Sequence, residues 1–463
     1  MKSRNIVLNV GNILKLLFIG CSGIIMLRAE EASGAIKLAF TGNSREVIEE
    51  RPDVSTGLDA VYVAYDVKEI QNIAISGIDV SNIIVQKYSS LGGGYAQEVP
   101  ITIEGSVANL HNPEGDMGYI IDSGSEKYYF WLVDYYDKMF RISHAEAYAD
   151  QDCNNTKIEV VGNGGAIHYY SINGRQCTLG RDIKASYQNL IWDDEQKSYV
   201  ITDESTTYEN LFNPLVITPP LYCNSIVTIS GDKFLQRWGL TSTIESDLIL
   251  ANGVDAKTEA VQNNINDEEG SNMIASDGDM LGGSAPADFT FYAYVTDAVI
   301  HDEWQMADDP DFEYIKYRFY ERDLSYNFTE EGKYYVRYIG SDATGKCTVE
   351  GETYEIGIGA SDLRIPNAFS PDGDGVNDVW KVGYRSLVEF KCWVFDRYGR
   401  ELYHFDKPDQ GWDGKYHGKV VNPGVYYYVI EAKGADGKKY KKGGDINIIK
   451  YRKIGNSRPS SGE

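Results

Sequence analysis

Short runs with apolar or aromatic residues on alternate positions, each closed by Gly, Asn or Asp, recur along the whole chain and restrict it to sheet. The clearest is Gly332-Lys333-Tyr334-Tyr335-Val336-Arg337-Tyr338, in which a glycine turn launches a strand of period two. Runs of strand length also occupy 58–65, 83–88, 128–133 and 289–295. The 35 Tyr against 15 Phe fit this pattern, because a phenol suits a strand face that is half buried. A length of 463 residues exceeds one core and implies about three or four domains, so the expected class is all-β, built of tandem sandwiches.

Charge then narrows the partners. The net charge is −25, yet residues 361–463 hold 18 Lys+Arg against 14 Asp+Glu, which leaves −29 on residues 1–360. So acidic a body repels nucleic acid and anionic membranes, and no nucleic-acid partner is expected.

The first residues read as an export signal, expected to span 1–29. Lys2 and Arg4 precede an apolar core at 16–27, with Ala29 or Ala32 as the small residue before cleavage. The core is shorter than the ~20 residues of a membrane span. Phe18-Ile19-Gly20-Cys21 loosely resembles a lipobox, but apolar residues continue past Cys21, which favours simple cleavage. Beyond it lie five cysteines: Cys153, Cys177, Cys223, Cys347 and Cys392. In an exported chain these suit disulfides better than metal sites, and an odd number leaves at least one free. Cys392 shares a strand face with Val388, Phe390 and Val394 and reads as a small buried hydrophobe.

Turn and linker chemistry divides the rest. A first β-sandwich domain is expected at 33–149, with turns at Gly92-Gly93-Gly94 and 111–116. Its aromatic run at 128–136 is either a buried strand or an exposed binding strip. Cys153-Asn154 and Cys223-Asn224 each precede a short strand ending at Gly, a weak internal repeat that suggests one Ig-like domain at 150–222 and another at 223–360. Pro219-Pro220 forms a natural linker between them. Residues 252–283 are polar and acidic, a long loop or an insertion. The module at 223–360 resembles bacterial PKD-like and Ig-like modules through Phe328, Gly332, Tyr334, Val336 and the step Gly345-Lys346-Cys347-Thr348. That resemblance implies a bond from the late cysteine to the module start, Cys223–Cys347, with Cys153–Cys177 as the remaining pair.

Four motifs follow in order at the end of the chain. They are Ile365-Pro366-Asn367-Ala368-Phe369-Ser370-Pro371-Asp372-Gly373-Asp374-Gly375-Val376-Asn377-Asp378, then Val394-Phe395-Asp396-Arg397-Tyr398-Gly399-Arg400, then Gly411-Trp412-Asp413-Gly414, then Pro423-Gly424-Val425-Tyr426. Together they resemble the gliding-motility-associated C-terminal family, the type B sorting domain of the type IX secretion system of Bacteroidota. The resemblance implies a seven-stranded Ig-like domain at 361–453, contact with the outer-membrane secretion machinery, and passage to the cell surface or the medium. The sorting motif then comprises Pro366, Asn367, Phe369, Pro371, Asp372, Gly373, Asp374, Gly375, Asn377, Asp378, Arg397, Gly399, Trp412, Asp413, Gly414, Gly424 and Tyr426. A flexible polar tail at 454–463 departs from the family pattern, and a machinery that reads a free C-terminus would handle it less efficiently. Residue chemistry agrees with a sandwich, since Gly399 sits where a hairpin turn takes positive φ.

Asp372, Asp374, Asn377 and Asp378 place oxygen ligands along a glycine-rich turn, as in the first half of a calcium loop. An EF-hand needs an acidic residue at its twelfth position, which here is Gly383, so that version fails. Two readings stay open: a calcium site completed from elsewhere, or Asx turns in which the carboxylates accept backbone N–H groups. No other cofactor is implied.

No GxSxG elbow, HExxH or GxxxxGK[ST] loop occurs, Gly162-Asn163-Gly164-Gly165 does not complete GxGxxG, and the six histidines lack metal spacing. The favoured expectation is a non-enzymatic surface or secreted protein that binds an unknown protein or glycan. The alternative is a secreted hydrolase with paired carboxylates in the N-terminal domains, since 69 acidic residues offer many pairs.

Overall fold

A computed structural model describes residues 36–91, 95–263 and 281–449. The export signal, the Gly92-Gly93-Gly94 turn, the tail and most of the 252–283 stretch lie outside them. Strands dominate, the one α-helix among the described residues is Lys233–Arg237, and no described helix is long and apolar enough to cross a membrane. The chain divides into two compact units, one holding residues up to Tyr136 with Tyr169–Cys177, the other the remainder.

In the first unit a four-stranded sheet (Lys37–Thr41, Asn72–Ser76, Val107–His111, Ile101–Glu104) accompanies a six-stranded one that includes Ala60–Ala64, Lys127–Asp134 and Met117–Asp122. Ile73, Ile75 and Leu110 from the first share a core with Val85, Ile121, Phe130 and Leu132 from the second. Period-two patterning explains the layering: alternate residues of each strand face inward, and apolar burial of about 25 cal/mol per Å² drives the sheets together. The centre of the aromatic run lies in a buried strand, whereas Tyr136 beyond the strand end is exposed. Phe130, Trp131 and Leu132 are almost wholly covered because Lys127–Asp134 is central, flanked by Ala60–Ala64 in parallel and Met117–Asp122 antiparallel. The segment 169–177 also belongs here, with Tyr170 packed on Trp131 at 5.7 Å between ring centroids and Ile172 N–H donating to Thr56 O at 3.0 Å.

The second unit begins with a three-stranded sheet (Arg141–Ala147, Thr156–Asn163, Leu215–Ile217) and a four-stranded one (Ser198–Tyr208, Ile183–Asp193, Ser225–Gly231, Ser242–Ile249). The expected boundary at 222/223 therefore falls inside one module, because Ser225–Gly231 pairs with Ile183–Asp193. The two Cys-Asn strands are members of two sheets of this module rather than the openings of two sandwiches; similar turn chemistry at two strand starts mimicked a repeat. Arg181 and Asp232 are fully buried and paired at 2.8 Å. Arg181 also donates to Gly165 O at 2.8 Å, and Asp232 caps the short helix by accepting from Leu235 N–H at 3.1 Å. A buried pair of this kind holds because each remaining polar atom finds a partner.

A further module follows from Ala256, with a three-stranded sheet through Ala287–Val295 and a second sheet through Gly332–Ser341. The alternation read from the sequence holds, since Tyr334, Val336 and Tyr338 are buried while Tyr335 and Arg337 face out. Trp304, fully covered, meets Phe291 at 5.5 Å and Tyr338 at 5.3 Å. The disulfide differs from the expected pairs: Cys153 bonds Cys347, with Cα atoms 5.4 Å apart across 194 residues. The turn holding Cys153 and the hairpin end holding Cys347 lie side by side, where Lys346 Nζ reaches Gln151 O at 3.5 Å. Cys223, just before Ser225–Gly231, instead points its thiol at Gln188 O on the neighbouring strand, Cys177 lies on the segment that joins the first unit, and both are free. Cys392 is free and fully buried, its thiol pushed up to about 12 by burial, in keeping with a small hydrophobe.

The last module has a five-stranded sheet (Ala368–Phe369, Lys439–Ile448, Gly424–Gly434, Leu387–Phe395, Glu401–Phe405) and two two-stranded ladders, Asp362–Arg364 with Gly383–Arg385 and Lys415–Tyr416 with Lys419–Val420. The expected seven strands thus appear as a broader set spread over three sheets, because Pro366 and the glycine-rich turn interrupt pairing and leave short ladders.

Candidate functional site

The C-terminal motifs split into a buried half and an exposed half. Phe369, Trp380 and Trp412 form the buried half, and Trp380 and Trp412 are fully covered. Their backbones bond reciprocally at 2.9 Å in each direction, an isolated bridge that fastens the first motif to the third. Each indole N–H is satisfied locally, Trp380 on Pro366 O at 2.7 Å and Trp412 on Lys415 O at 3.0 Å. Trp412 then packs against Phe369 at 5.5 Å and Tyr426 at 5.2 Å, which draws in the fourth motif. Gly414 must be glycine: its φ is +72°, and a Cβ there would meet Pro371 Cγ at 2.8 Å. Pro366, Pro371, Gly414 and Tyr426 thus act as supports of one aromatic cluster. Asn367 O accepts from Asn447 N–H at 2.8 Å and helps dock the entry strand on Lys439–Ile448.

The exposed half begins at the acidic turn. Asp372, Asp374 and Asp378 bring carboxylate oxygens within 4.8 Å of one another. Asn377 does not join them; it takes φ 53° and its carbonyl accepts from Ser370 N–H at 3.0 Å. Asp378 accepts from Gly373 N–H at 2.6 Å and from Gly375 N–H at 2.8 Å, and these bonds hold its carboxyl below the usual range. Asp372 accepts from Asp374 N–H at 3.2 Å and Asp374 from Val376 N–H at 2.8 Å. Gly373 and Gly375 supply the positive φ that turns these N–H groups inward. At the second exposed element Asp396 accepts from the N–H groups of Tyr398 and Arg400, Gly399 takes φ 80°, and the Arg397 guanidinium lies 4.9 Å over the Tyr398 ring. Asp413 pairs with Lys415 at 2.8 Å, and Gly424 opens the long strand Gly424–Gly434.

Trp380 is the support that sequence reading left out of the motif. Its signal was present, an aromatic closing the acidic turn, but only the bridge to Trp412 reveals its role. A second cluster also escaped notice: His144, Glu146 and Asp247 bring ligand atoms within 4.8 Å, all exposed, from strands more than 100 residues apart in the chain. No local spacing could have joined them.

Elsewhere several carboxylates behave as turn locks. Among the described residues every resolved carboxyl shift is downward except one, and the downward shifts come with bonds from backbone N–H groups, hydroxyls or lysines. Asp152, held down to about 2 first by Lys157 and then by the Asn154 N–H, is the strongest case. The exception is Asp134, raised mainly by burial and further by Asp66 and Asp116.

Two family models match parts of the chain. The CHU_C type IX secretion signal domain matches residues 363–448, and the fibronectin type III domain matches residues 145–246. No curated protein matches the chain. Among solved structures the chain is similar to a tetra-tandem repeat in the extending region of a large adhesion protein, at 9% identity, covering 83% of this chain and 96% of that one, TM-score 0.20. It is also similar to dimeric latent PorU from Porphyromonas gingivalis (9% identity, 70% and 35% covered, TM-score 0.15) and to the BSP domain of a biofilm-associated protein (10%, 90% and 96%, TM-score 0.17). None of the three superposes on this chain as a whole. The chain therefore ends in a type IX secretion signal preceded by fibronectin-like and Ig-like β-sandwich modules, and it is exported through the outer membrane to the cell surface or the medium.

Proposed function

We propose that the described modules before residue 361 form a non-enzymatic adhesive body that binds a surface ligand, protein or glycan, once the terminal module has engaged the outer-membrane secretion machinery. The observation that supports this reading is the succession of β-sandwich modules ahead of a type IX secretion signal. Several of the body's turn aspartates accept from backbone N–H groups and stay anionic, whereas acid–base hydrolysis needs one carboxyl raised into the working range. Binding of the intact exported chain to arrayed glycans and matrix proteins, alongside a hydrolysis screen on polysaccharides and peptides, tests it. Retention without turnover is expected, and measured turnover removes the reading.

Asp134 favours a second reading, a hydrolase centred in the first unit. Its carboxyl accepts from Tyr136 N–H at 3.2 Å, Asp116 accepts from the Asp134 backbone N–H at 3.3 Å, and the Asp116 charge helps raise the Asp134 carboxyl. Turnover abolished by Asp134→Asn in a folded chain supports this alternative. Calcium at Asp372, Asp374 and Asp378 belongs to the same proposal, as a brace for the acidic turn; an unchanged melting temperature with calcium and with chelator removes it.

A further inference from the structure

The antiparallel pair Ile183–Asp193 and Ser198–Tyr208 runs for eleven residues on each arm, and near its tip Trp192 stands directly opposite Tyr199. The Trp192 ring lies 5.3 Å from Tyr199 and 5.4 Å from Tyr294, on the strand Ala287–Val295. Beside these rings is a cavity of about 260 Å³, lined by Trp192, Tyr294, Asp194, Glu259, Glu352 and Lys197, with Lys257 and Thr258 completing it. None of these residues belongs to the secretion signal.

The lining is held in place before anything binds. Trp192 Nε1 donates to Asp194 at 2.7 Å, and the Tyr199 hydroxyl donates to Asp255 at 2.9 Å, which fixes both rings. Lys197 pairs with Glu259 at 2.5 Å. Thr258 Oγ1 accepts from the Tyr354 hydroxyl at 2.9 Å and from Glu352 N–H at 3.2 Å, tying the far wall to the next sheet. A preorganised wall loses little freedom on binding, so a small ligand retains more of its contact energy.

We propose that this cavity binds a neutral saccharide, one pyranose ring seated against Trp192 and Tyr294; the proposal rests on the ligand-binding reading above and gives it a site. An aromatic face is the electronegative side of its quadrupole and suits the slightly positive C–H groups of a sugar ring. Carboxylates are acceptors only and ammonium groups donors only, so acids and lysines around the rings match hydroxyls, which do both. The mixture of three acids and two lysines selects against strong charge of either sign. The ring arrangement also argues against a cation cage, because Trp192 and Tyr294 touch each other instead of standing apart to enclose an ammonium. The volume lies just below the ~300 Å³ at which pockets for larger ligands begin, which limits occupancy to about one ring.

Saturation-transfer NMR on the full chain, with methyl β-D-glucopyranoside, methyl β-D-galactopyranoside and choline chloride as separate probes, tests this. Transfer to the ring C–H protons of at least one pyranoside is expected, with none to choline. Trp192→Ala should weaken binding about tenfold or more. Glu352→Gln, an exposed position outside the aromatic packing, should weaken it about threefold while leaving the melting temperature unchanged. Transfer to choline alone, no transfer to either pyranoside, or pyranoside binding that both variants leave intact overturns the proposal. Glycan-array retention that survives both variants would sink this site and leave the adhesive reading standing. Loss of all retention by the unaltered chain would remove the adhesive reading itself.

Discussion

The secretion-signal module and the fibronectin-like module are both sandwiches in the same compact unit, yet they are fastened by opposite chemistry. In the former, two buried tryptophans satisfy their N–H groups on Pro366 and Lys415 and bridge each other, so the link between the motifs lies within residues 366–428 and is mainly aromatic. In the latter, a fully buried Arg181–Asp232 pair spans 51 residues, and the Cys153–Cys347 bond reaches 194 residues away. The difference teaches where a motif comes from. A module fastened by neighbours in sequence shows its fastening as a motif, and one fastened by distant polar or covalent links does not.

The hardest test of that contrast is Trp412→Ala. Removing a fully covered ring that touches Phe369 and Tyr426 should cost about 3–5 kcal/mol in the terminal module. The extracellular fraction, read by immunoblot, should fall with it while the periplasmic fraction rises. Export at the wild-type level from a destabilised module would separate fold from address and break the comparison. Arg181→Met should cost a similar amount, about 3–5 kcal/mol, because Asp232 is left buried and charged. The paired change Arg181→Met with Asp232→Leu should recover most of that loss, as apolar replacements of buried pairs often do. Denaturant midpoints of the two variants check this, and equal midpoints would show that the pair is not the fastening.

Next in size is the disulfide. Cys153→Ser with Cys347→Ser should lower stability by about 2–4 kcal/mol without reductant and match the natural chain with reductant, where that chain has lost the same bond. Thiol titration of the unfolded, unreduced chain should find Cys177, Cys223 and Cys392 and leave Cys153 and Cys347 silent. A silent Cys223 would restore the pairing expected from the module resemblance.

The same contrast explains what could be read in advance. Alternation in 332–338 and the motif string at 365–378 reported strands and a module correctly, because strand period and turn glycines act over a few residues. The 222/223 boundary misled for the converse reason. Pro219-Pro220 looks like a linker locally, but which strand Ser225–Gly231 joins is decided by the face of Ile183–Asp193, about forty residues away. The cysteine pairing failed likewise: five thiols allow many bonds, and only tertiary contact selects Cys347 for Cys153. Asp372, Asp374 and Asp378 were legible as a converging set because they sit on one turn, whereas Trp192 and Tyr294 were not, being brought together by two modules.

The smallest expected effect concerns that turn and sharpens the comparison at its polar edge. Asp378 is held below the ordinary aspartate value of 3.8 by the N–H groups of Gly373 and Gly375. For a lowered carboxyl the sign is fixed: its contribution is present above the unfolded value and is lost as pH falls through the folded one. The natural module should therefore lose a little stability on acidification below about pH 4, and Asp378→Asn should flatten that part of the profile. Because the carboxyl is only half-buried, the change should be small beside the tryptophan and ion-pair variants. Melting temperatures of both chains between about pH 2 and 7 measure it. A profile that Asp378→Asn leaves unaltered would mean that the glycine backbone, without the carboxylate, holds the turn. The exposed half of the motif would then be free to meet the secretion machinery without first serving the fold.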